Sequence, residues 1–391
     1  MGALRVAIVA GETSGDALGA ALIGSLRERV PDARFLGVAG PAMRAAGCEP
    51  LADAHELAVM GLTEVLGHLP RLLRQILDWR PDVFIGIDYQ QFNLGLALRL
   101  KARGFATVQY VSPQVWAWRE GRVTTIARAY DLVLCLLPFE PAFYAAHAVR
   151  ACFVGHPLAD QIPLQNDRAA ARAALHLDPT SPVLALLPGS REAEVQRLAG
   201  PFLDAARLLA SRTTGLTIVA PMAGPVVRAQ FERALAGSSG APDVRVLDGQ
   251  SRLALSAADV ALVASGTATL EALLCRCPMV VAYRFGTLTA WLVRRLRLVR
   301  ATYFALPNLL AGERLAPEFL QEAVVSGAMA DALEQALHDT ARREYLDERF
   351  RAIHQSLRRD GAALAAGAVL ELLRERGSRG LRSPGRPAGE P

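Results

Sequence analysis

The amino-acid sequence predicts an α/β protein built from two doubly wound domains. Short runs rich in Val, Ile and Leu recur between longer segments of helical periodicity, which is typical of strands buried on both faces of a parallel sheet. The runs form two successive series, and a chain of 391 residues exceeds the size at which one core usually stops growing, about 250 to 300 residues. A hydrophobic content of 52% excludes disordered and fibrous proteins.

Each series of apolar runs predicts one sheet. The first series predicts strands at residues 4–10, 34–39, 82–87, 106–111, 131–136 and 152–154. The second series predicts strands at residues 183–187, 216–220, 244–247, 259–264 and 279–283. Because strands that alternate with helices pair in parallel, both sheets should be doubly wound.

A change in composition marks the boundary between the two series. The dipeptide His156-Pro157 precedes a polar stretch that contains Pro163. The expected parts of the chain are a domain at residues 1–160, a second domain at 161–360, a helix at 361–376 that packs on the first domain, and a disordered tail at 377–391. A cleft between the two domains is the default place for a ligand.

Charge and residue usage exclude several classes of protein. The chain has 43 Lys and Arg residues against 38 Asp and Glu, and the net charge of +5 is too small to indicate a nucleic-acid-binding protein. Lys101 is the single lysine, so the sequence contains no phosphate-binding loop ending in Gly-Lys-Ser/Thr. Walker-type nucleotide triphosphatases are therefore excluded.

Cysteine usage and hydropathy indicate the compartment. The five cysteines form no Cys-x-x-Cys pair and have no histidine at zinc spacing, which favours a reducing compartment and a protein without a bound metal. No run of about 18 apolar residues predicts a transmembrane helix. The N-terminal segment lacks the apolar core and cleavage site of a signal peptide. We therefore expect a cytosolic protein, which can still lie on a membrane surface.

A glycine-rich segment follows the first predicted strand and opens a helix. Gly11 and Gly15 let a ligand approach the backbone, and the N-terminus of the helix favours an anionic or polar group. The spacing is not Gly-x-Gly-x-x-Gly, which argues against a dinucleotide-dependent dehydrogenase. The alternative is a tight turn in which Ser14 or Asp16 caps the helix.

Asp88 stands at the carboxyl end of a predicted buried strand, the edge where open parallel sheets bind ligands. A partly desolvated carboxylate at that edge is a candidate general base. The alternative is that Asp88 caps the following helix. Trp116 and Trp118 follow the next strand, where aromatic side chains line a sugar or acyl site or pack in the core.

Two further loops follow strands of the second series. In the first, Gly189 allows close approach, backbone N–H groups are expected to face outward, and Arg191 can form a forked contact with a phosphate. In the second, residues 265–267 open a helix whose N-terminus can hold a pyrophosphate, and Glu271 lies about one turn further on, near the ribose hydroxyls. The pair predicts a cradle for a nucleoside diphosphate, although each loop alone is a common capped turn.

Two amphipathic basic stretches are candidates for a membrane surface. In the first, residues 62–77 carry leucines at helical spacing, interrupted by Pro70 and flanked by arginines. The leucines chosen as acyl or membrane contacts are Leu62, Leu66, Leu69 and Leu73. The second stretch is residues 291–300. The alternatives are an apolar face that packs in the core, with the basic face in water, or a contact in a homodimer.

These motifs together resemble a known family. The segments GETSGDALGA, GPAMRAAGCEP, LAVMGLTEVLGHLPRLLR, GID, VSPQVWAWR, PFEPAFY, FVGHPLAD, LLPGSREAEV, ASGTATLE, CPMVVAYR and LPNLLAGERLAPEFLQE occur in this order. They resemble the lipid-A-disaccharide synthases over roughly residues 5–322, and several of them are peculiar to that family.

The resemblance implies an inverting glycosyltransferase of the two-domain B type (GT-B). No Asp-x-Asp or other set of metal ligands occurs near the two loops of the second series, so no metal or cofactor is expected. The enzyme would transfer 2,3-diacylglucosamine from UDP-2,3-diacylglucosamine to 2,3-diacylglucosamine 1-phosphate at the cytoplasmic face of the inner membrane, to which the protein would bind peripherally. The first domain would bind the lipid acceptor and the second the UDP-sugar. No nucleic acid is expected as a partner.

Motif matching with the family also implies roles for individual residues. Asp88 and Arg191 match the residues important for activity. The expected UDP-sugar contacts are Gly189, Ser190, Arg191, Ser265, Gly266, Thr267, Glu271 and Asn308. The expected acceptor contacts are Gly11, Glu12, Ser14, Gly15 and Trp116.

The chain departs from the family pattern in two places. The pattern has a second acidic residue shortly after the GID motif, where this chain has Gln91, so Asp88 remains as the base in that loop. The segment between Leu69 and Asp82 also looks shorter than in the family.

Two other functions fit the predicted fold. A hydrolysing UDP-sugar 2-epimerase has the same architecture and would convert its substrate without an acceptor. A non-catalytic two-lobed binding protein is the other alternative. His156, near the domain boundary, is the histidine to test for proton transfer, with a structural role as the alternative.

Overall fold

The computed structural model describes residues 3–54, 62–116, 120–238, 240, 242–286 and 303–380. The chain divides into two compact units, which we call unit 1 (Met1–Asp160 with Leu357–Pro391) and unit 2 (Gln161–Ser356). Each unit contains one parallel sheet with helices on its faces.

Unit 1 alternates strands and helices. Its strands are β1 (Arg5–Ala10), β2 (Arg34–Ala39), β3 (Cys48–Asp53), β4 (Val83–Ile87), β5 (Ala106–Tyr110), β6 (Leu132–Cys135) and β7 (Ala151–Phe153). Its helices begin with α1 (Thr13–Arg29), α2 (Pro41–Ala45), α3 (Leu62–Trp79), α4 (Gln90–Lys101), α5 (Val123–Ala129), α6 (Glu140–Ala145) and α7 (Pro157–Gln161). A short 3-10 turn at Glu120–Arg122 precedes α5.

Unit 2 repeats the alternation. Its strands are β8 (Val183–Leu187), β9 (Thr217–Met222), β10 (Val244–Asp248), β11 (Val260–Ala264), β12 (Met279–Tyr283) and β13 (Glu318–Leu320). Its helices are α8 (Arg168–Ala174), α9 (Glu192–Arg212), α10 (Pro225–Ala236), α11 (Ser251–Ala257), α12 (Thr267–Leu274), α13 (Leu306–Ala311), α14 (Ser326–His338) and α15 (Thr340–Leu357). A 3-10 turn lies at Gln321–Ala323, and the last helix, α16 (Gly361–Gly380), belongs to unit 1.

Both sheets reverse their strand order at one point. The order is β3-β2-β1-β4-β5-β6-β7 in unit 1 and β10-β9-β8-β11-β12-β13 in unit 2, and the paired strands are parallel. At the reversal points Ala10 pairs with Ile87, and Val263 pairs with Leu187. The prediction of two doubly wound α/β domains is confirmed, and the loops after β1 and β4, and after β8 and β11, begin side by side.

The core of unit 1 lies on both faces of its sheet. Val6 and Ile8 of β1 belong to a buried cluster with residues of α1 and α16. Ala7 and Val9 belong to a second cluster with residues of α3 and α4. Because side chains alternate along a strand, a strand covered on both faces needs a continuous apolar run, and this need explains the pattern in the sequence.

Two strands were missing from the sequence prediction. β3 and β13 lie at edges of their sheets, and most of their residues are partly exposed. β3 also contains Pro50, which an edge strand tolerates because one side of it makes no ladder hydrogen bonds. Neither strand has the buried apolar run by which the others were identified.

The prediction that Pro70 interrupts the first amphipathic stretch is wrong, since α3 continues through it. The assignment of Leu69 to a membrane contact is also corrected: Leu69 is only 4% exposed and packs in the core of unit 1 with Leu72 and Ile76. Leu73 is half-buried against the same cluster. The side chains of residues 62–66 and all of residues 291–300 lie outside the described residues.

The C-terminal helix is longer than expected. Residues 377–380, assigned to a disordered tail, are the last turn of α16, where Ser378 donates a hydrogen bond to the carbonyl of Arg374 at 2.7 Å. Unit 1 resumes at Leu357 rather than after residue 360. No helix in the described part of the chain is both long and apolar enough to cross a bilayer.

Candidate active site

Asp88 follows β4 in a strained turn. Asp88 and Tyr89 have φ values of 49° and 36°, in the left-handed region that non-glycine residues seldom adopt. The Asp88 carboxylate is half-buried, and desolvation raises its pKa, helped by the nearby charge of Glu12 and opposed by the backbone N–H of Tyr89. Tyr89, not Asp88, directly precedes α4, and its side chain makes no capping hydrogen bond.

The glycine-rich segment lies beside Asp88. The Tyr89 ring packs on Gly11, where an added Cβ would lie 2.3 Å from Cγ of the ring. Gly15 is buried, whereas Glu12 and Ser14 are exposed at the start of α1. The Tyr89 ring therefore covers the Gly11 backbone, where the sequence predicted an approaching ligand, while Glu12 and Ser14 stay accessible.

Asp16 bonds to the start of α2 instead of capping α1. Its buried carboxylate accepts hydrogen bonds from the backbone N–H groups of Gly40, Ala42 and Met43 at 2.8 to 3.0 Å. The residue before α1 is Glu12, which makes no capping hydrogen bond. The alternative in which Ser14 or Asp16 caps the helix is therefore wrong, and Asp16 joins α1 to the N-terminus of α2.

Trp116 is held by a buried glutamate. Its indole N–H donates to Glu140 at 3.1 Å, and its ring meets Phe139 edge to face with centroids 4.9 Å apart. Glu140 also accepts from the backbone N–H of Leu137 at 3.0 Å. Desolvation raises the pKa of Glu140 to about 7. Trp116 remains partly exposed, and Trp118 lies outside the described residues.

In unit 2 the loop after β8 differs from its expected geometry. The backbone N–H groups of Ser190 and Arg191 do not face outward but donate to the Glu194 carboxylate at 3.1 and 3.4 Å. The Gly189 φ of 136° lets the loop close over Glu194. The Arg191 side chain is 82% exposed and touches Glu194 at 3.4 Å, so it is free to turn toward an anion.

The loop after β11 retains open donors. No acceptor among the described residues takes the backbone N–H groups of Gly266, Thr267 and Ala268, which begin α12. The Ser265 hydroxyl donates to the carbonyl of Phe304 at 3.2 Å. The start of α12 can therefore hold a phosphate oxygen with main-chain donors and the helix dipole.

Glu271 of α12 is fixed by the preceding helix, α11. It accepts a hydrogen bond from the Ser251 hydroxyl at 3.0 Å, and Arg252 lies 3.7 Å from its other oxygen. Both contacts come from the start of α11. A carboxylate oxygen can accept more than one hydrogen bond, so Glu271 can still receive a ribose hydroxyl.

Asn308 does not fit its expected contact with UDP. Its side chain is fully buried, donates to the Ala316 carbonyl and Glu318, and accepts from the backbone N–H groups of Leu315 and Ala316, all at 2.8 to 2.9 Å. Its hydrogen-bonding capacity is used within unit 2. Asn308 therefore has a structural role. It bonds to Glu318, whose carboxylate also accepts hydrogen bonds from the backbone N–H groups of residues 304 and 305.

His156 is suited to a structural role. Burial lowers its pKa to about 4, and Nδ1 accepts from the backbone N–H of Leu158 at 3.2 Å. The imidazole is neutral near pH 7 and its Nδ1 is engaged at the start of α7. These contacts favour the structural interpretation over proton transfer.

Comparisons with solved structures define the fold class. A UDP-GlcNAc 2-epimerase from Neisseria meningitidis, bound to UDP-GlcNAc, superposes with a TM-score of 0.63 at 13% identity, over 95% of this chain and 100% of its own. An α,α-trehalose 6-phosphate synthase from Burkholderia multivorans gives 0.59 at 14% identity, over 99% and 100%. The fold is the two-domain GT-B architecture, which does not by itself separate a transferase from an epimerase.

Sequence comparisons separate them. A family model described as lipid-A-disaccharide synthetase matches residues 6–371. Lipid-A-disaccharide synthase from Xanthomonas campestris is 51% identical over 96% of this chain and 88% of its own length. The enzymes from Chromohalobacter salexigens and Klebsiella pneumoniae are each 50% identical over 95% of this chain and over 97% and 98% of theirs. The chain belongs to the lipid-A-disaccharide synthase family and is a glycosyltransferase that uses a UDP-sugar donor and a lipid acceptor.

Several residues of the site were not found from sequence. Asn93, Gln109, Glu140, Glu194 and Glu318 all hold a loop at the carboxyl edge of a sheet. The available signal was that a polar residue inside an apolar run must find a partner when it is buried. Gln109 in β5 is the clearest case.

Proposed function

We propose that Asp88 is the general base in the reaction of this family. The 6-hydroxyl oxygen of 2,3-diacylglucosamine 1-phosphate attacks the anomeric carbon of UDP-2,3-diacylglucosamine while the Asp88 carboxylate takes its proton. The bond from that carbon to the UDP oxygen breaks, and UDP leaves with the electron pair. One displacement inverts the configuration and gives the β-1,6-linked lipid A disaccharide 1-phosphate.

The raised pKa of Asp88 is the observation that carries this assignment. A carboxylate that has lost part of its hydration is a stronger base than one in water. Asp88 also directly follows β4 at the point where the strand order of the sheet reverses, beside the first turn of α1. A positioned general base typically contributes about 10² to 10⁴ in rate.

UDP is assigned to unit 2. The free N–H groups at the start of α12 support a pyrophosphate contact, and the exposed Arg191 guanidinium supports a second contact that balances the charge developing on UDP. Glu271 is assigned to the ribose by its match to the family motif. The reaction is expected to need no metal ion, because helix dipole and guanidinium supply the positive potential.

Peripheral contact with the inner membrane is assigned to α3. Its apolar side packs in the core, but Arg71 and Arg74 on its opposite side are exposed. Such a basic face supports attraction to anionic lipid, from which both acylated substrates would be drawn. The alternative is a homodimer through the same helix, and a measurement of the mass in solution distinguishes the two.

The experiment compares UDP release with and without acceptor, in excess chelator, and identifies lipid products by mass spectrometry. We expect acceptor-dependent, chelator-resistant formation of a disaccharide phosphate. Asp88→Asn should lower kcat by about 10² to 10⁴, whereas Arg191→Ala should weaken UDP binding. Full turnover by Asp88→Asn would show that another group is the base, and release of UDP without acceptor would favour an epimerase.

A further inference from the structure

Asn93 of α4 is fully buried and points its amide at the turn that carries Asp88. Its Nδ2 donates to the main-chain carbonyl of Asp88 at 3.0 Å and to that of Ile87 at 3.3 Å, and it lies 3.5 Å from the carbonyl of Val9. All three neighbours are acceptors, so the amide nitrogen, not the oxygen, must face them. The side chain thus joins the ends of β1 and β4.

The absence of a side chain at Gly86 makes room for Asn93. An added Cβ at Gly86 would lie 2.8 Å from both Cβ and Cγ of Asn93. Real Cβ atoms essentially never approach so closely. Gly86 is therefore required, because only glycine leaves space for the Asn93 amide that holds the Asp88 turn.

Gln109 of β5 reaches the same carbonyl from the other side. Its Nε2 donates to the carbonyl of Asp88 at 3.1 Å and to those of Tyr110 and Val111 at 3.3 and 3.2 Å. Val111 has a φ of 74°, which is exceptional for a β-branched residue. One buried amide therefore connects two strained turns, the one after β4 and the one after β5.

Strained turns persist only where the surroundings hold them. The carbonyl of Asp88 receives two hydrogen bonds from side chains, while its backbone N–H donates to the carbonyl of Tyr110 at 2.9 Å. The peptide groups on both sides of the Asp88 Cα are thus fixed, and with them the direction of its Cα–Cβ bond. Releasing either amide would let the turn relax and move the carboxylate.

We propose that Asn93 and Gln109 are positioning residues that act on the reaction through Asp88. The proposal rests on the assignment of Asp88 as the base. The two amides are buried and donate to main-chain carbonyls rather than to the carboxylate oxygens, so they determine the position of the carboxylate. Their loss should therefore affect the chemical step and leave substrate binding nearly unchanged.

The test is a double-mutant cycle on kcat with Gln109→Met and Asn93→Ala, each made in the wild-type chain and with Asp88→Asn. Gln109→Met keeps the side-chain volume and removes the donor. We expect each single variant to lower kcat about 10- to 100-fold, a part of the general-base contribution, with KM for both substrates changed less than about 3-fold. With Asp88→Asn present, either change should cost less than about 2-fold, since the base is already lost.

Thr107→Val is the matched control. Thr107 lies two residues from Gln109 on the same face of β5, is equally buried, and donates to the carbonyl of Ala129 at 2.8 Å. It should lose a similar free energy of unfolding while kcat stays near wild type. Urea midpoints of all variants show whether each remains folded at the assay temperature.

Four outcomes would overturn the proposal. Wild-type kcat in Gln109→Met and Asn93→Ala would show that the base keeps its place without them. An equal loss with and without Asp88→Asn, or an equal loss in Thr107→Val, would show a general effect on the fold. Full activity of Asp88→Asn would instead show that Asp88 is not the base, and the positioning role of Asn93 and Gln109 would then also be wrong.

Discussion

Gly189 is a residue whose replacement should affect both stability and UDP binding. Its φ of 136° is unfavourable for any side chain, and an added Cβ would lie 2.5 Å from Cβ of Glu194. We expect Gly189→Ala to lower the free energy of unfolding by about 1 to 3 kcal/mol and to weaken UDP binding by displacing Arg191. Urea unfolding and titration with UDP measure the two effects.

Gly24 provides the control for that prediction. It lies inside α1, it is exposed, and an added Cβ would meet nothing within 4 Å. Gly24→Ala should raise stability by about 0.5 to 1 kcal/mol, because alanine is the better helix former. If both alanines shifted stability alike, the strain assigned to Gly189 would be wrong.

The locations of individual candidate residues were predictable only where they follow from position along a strand. Asp88 and Arg191 follow strands at the carboxyl edge, and strand order alone brings such residues to the expected place. Glu194 was not found and Asn308 was wrongly assigned to UDP, because their partners depend on how a loop closes. The sequence indicates that a polar group is present, whereas the fold decides whether it is free for a ligand.

At the scale of elements, α6 and the loop after β5 should respond to pH through Glu140. The pKa of this glutamate is raised from 4.5 to about 7 in the folded protein, so the native state binds its proton more tightly than the unfolded state. Ionisation of Glu140 therefore leaves the free energy of unfolding unchanged below about pH 4.5. Above about pH 7 it lowers that free energy by its full amount, at most about 3 kcal/mol. Stability should fall as pH rises through this window.

Glu140→Gln should reduce that fall, and urea unfolding at pH 5 and pH 8 measures it in both proteins. Glu344→Gln, at an exposed position of α15, should keep the wild-type dependence. Equal pH dependence in wild type and Glu140→Gln would mean that the carboxylate is better solvated than its burial indicates.

The elements themselves were largely predictable where burial was symmetrical. The runs that predicted β2, β8 and β12 have the bounds found in the structure, because strands covered on both faces must be apolar throughout. The edge strands β3 and β13 and the continuity of α3 were not, since these half-exposed strands have no continuous apolar run and core packing outweighs one proline in a helix. Core packing of Leu69 was the alternative that proved right.

At the scale of the whole molecule, membrane attraction should depend on the basic face of α3. Arg71→Gln with Arg74→Gln should weaken binding to vesicles of phosphatidylglycerol and phosphatidylethanolamine by about 10- to 30-fold, at about 1 kcal/mol for each arginine. The difference should shrink at high salt. Turnover of short-chain, water-soluble substrates should not change.

Arg207→Gln with Arg233→Gln, exposed positions of unit 2, is the control of equal charge. If it weakened vesicle binding as much, net charge rather than α3 would explain the attraction. If neither pair had an effect, another part of the chain would bind the membrane, such as the second basic stretch, residues 291–300.

The chain crosses between the units twice, and the two crossings are joined within unit 1. The Asp160 carboxylate accepts from the backbone N–H groups of Arg359, Asp360 and Gly361 at 2.9 to 3.1 Å, at the start of α16. Ala365, Ala366 and other residues of α16 then complete the core around α1. On the ribosome, an apolar face of residues 1–160 therefore stays uncovered until α16 has been synthesised, whereas unit 2, continuous in sequence, can fold first.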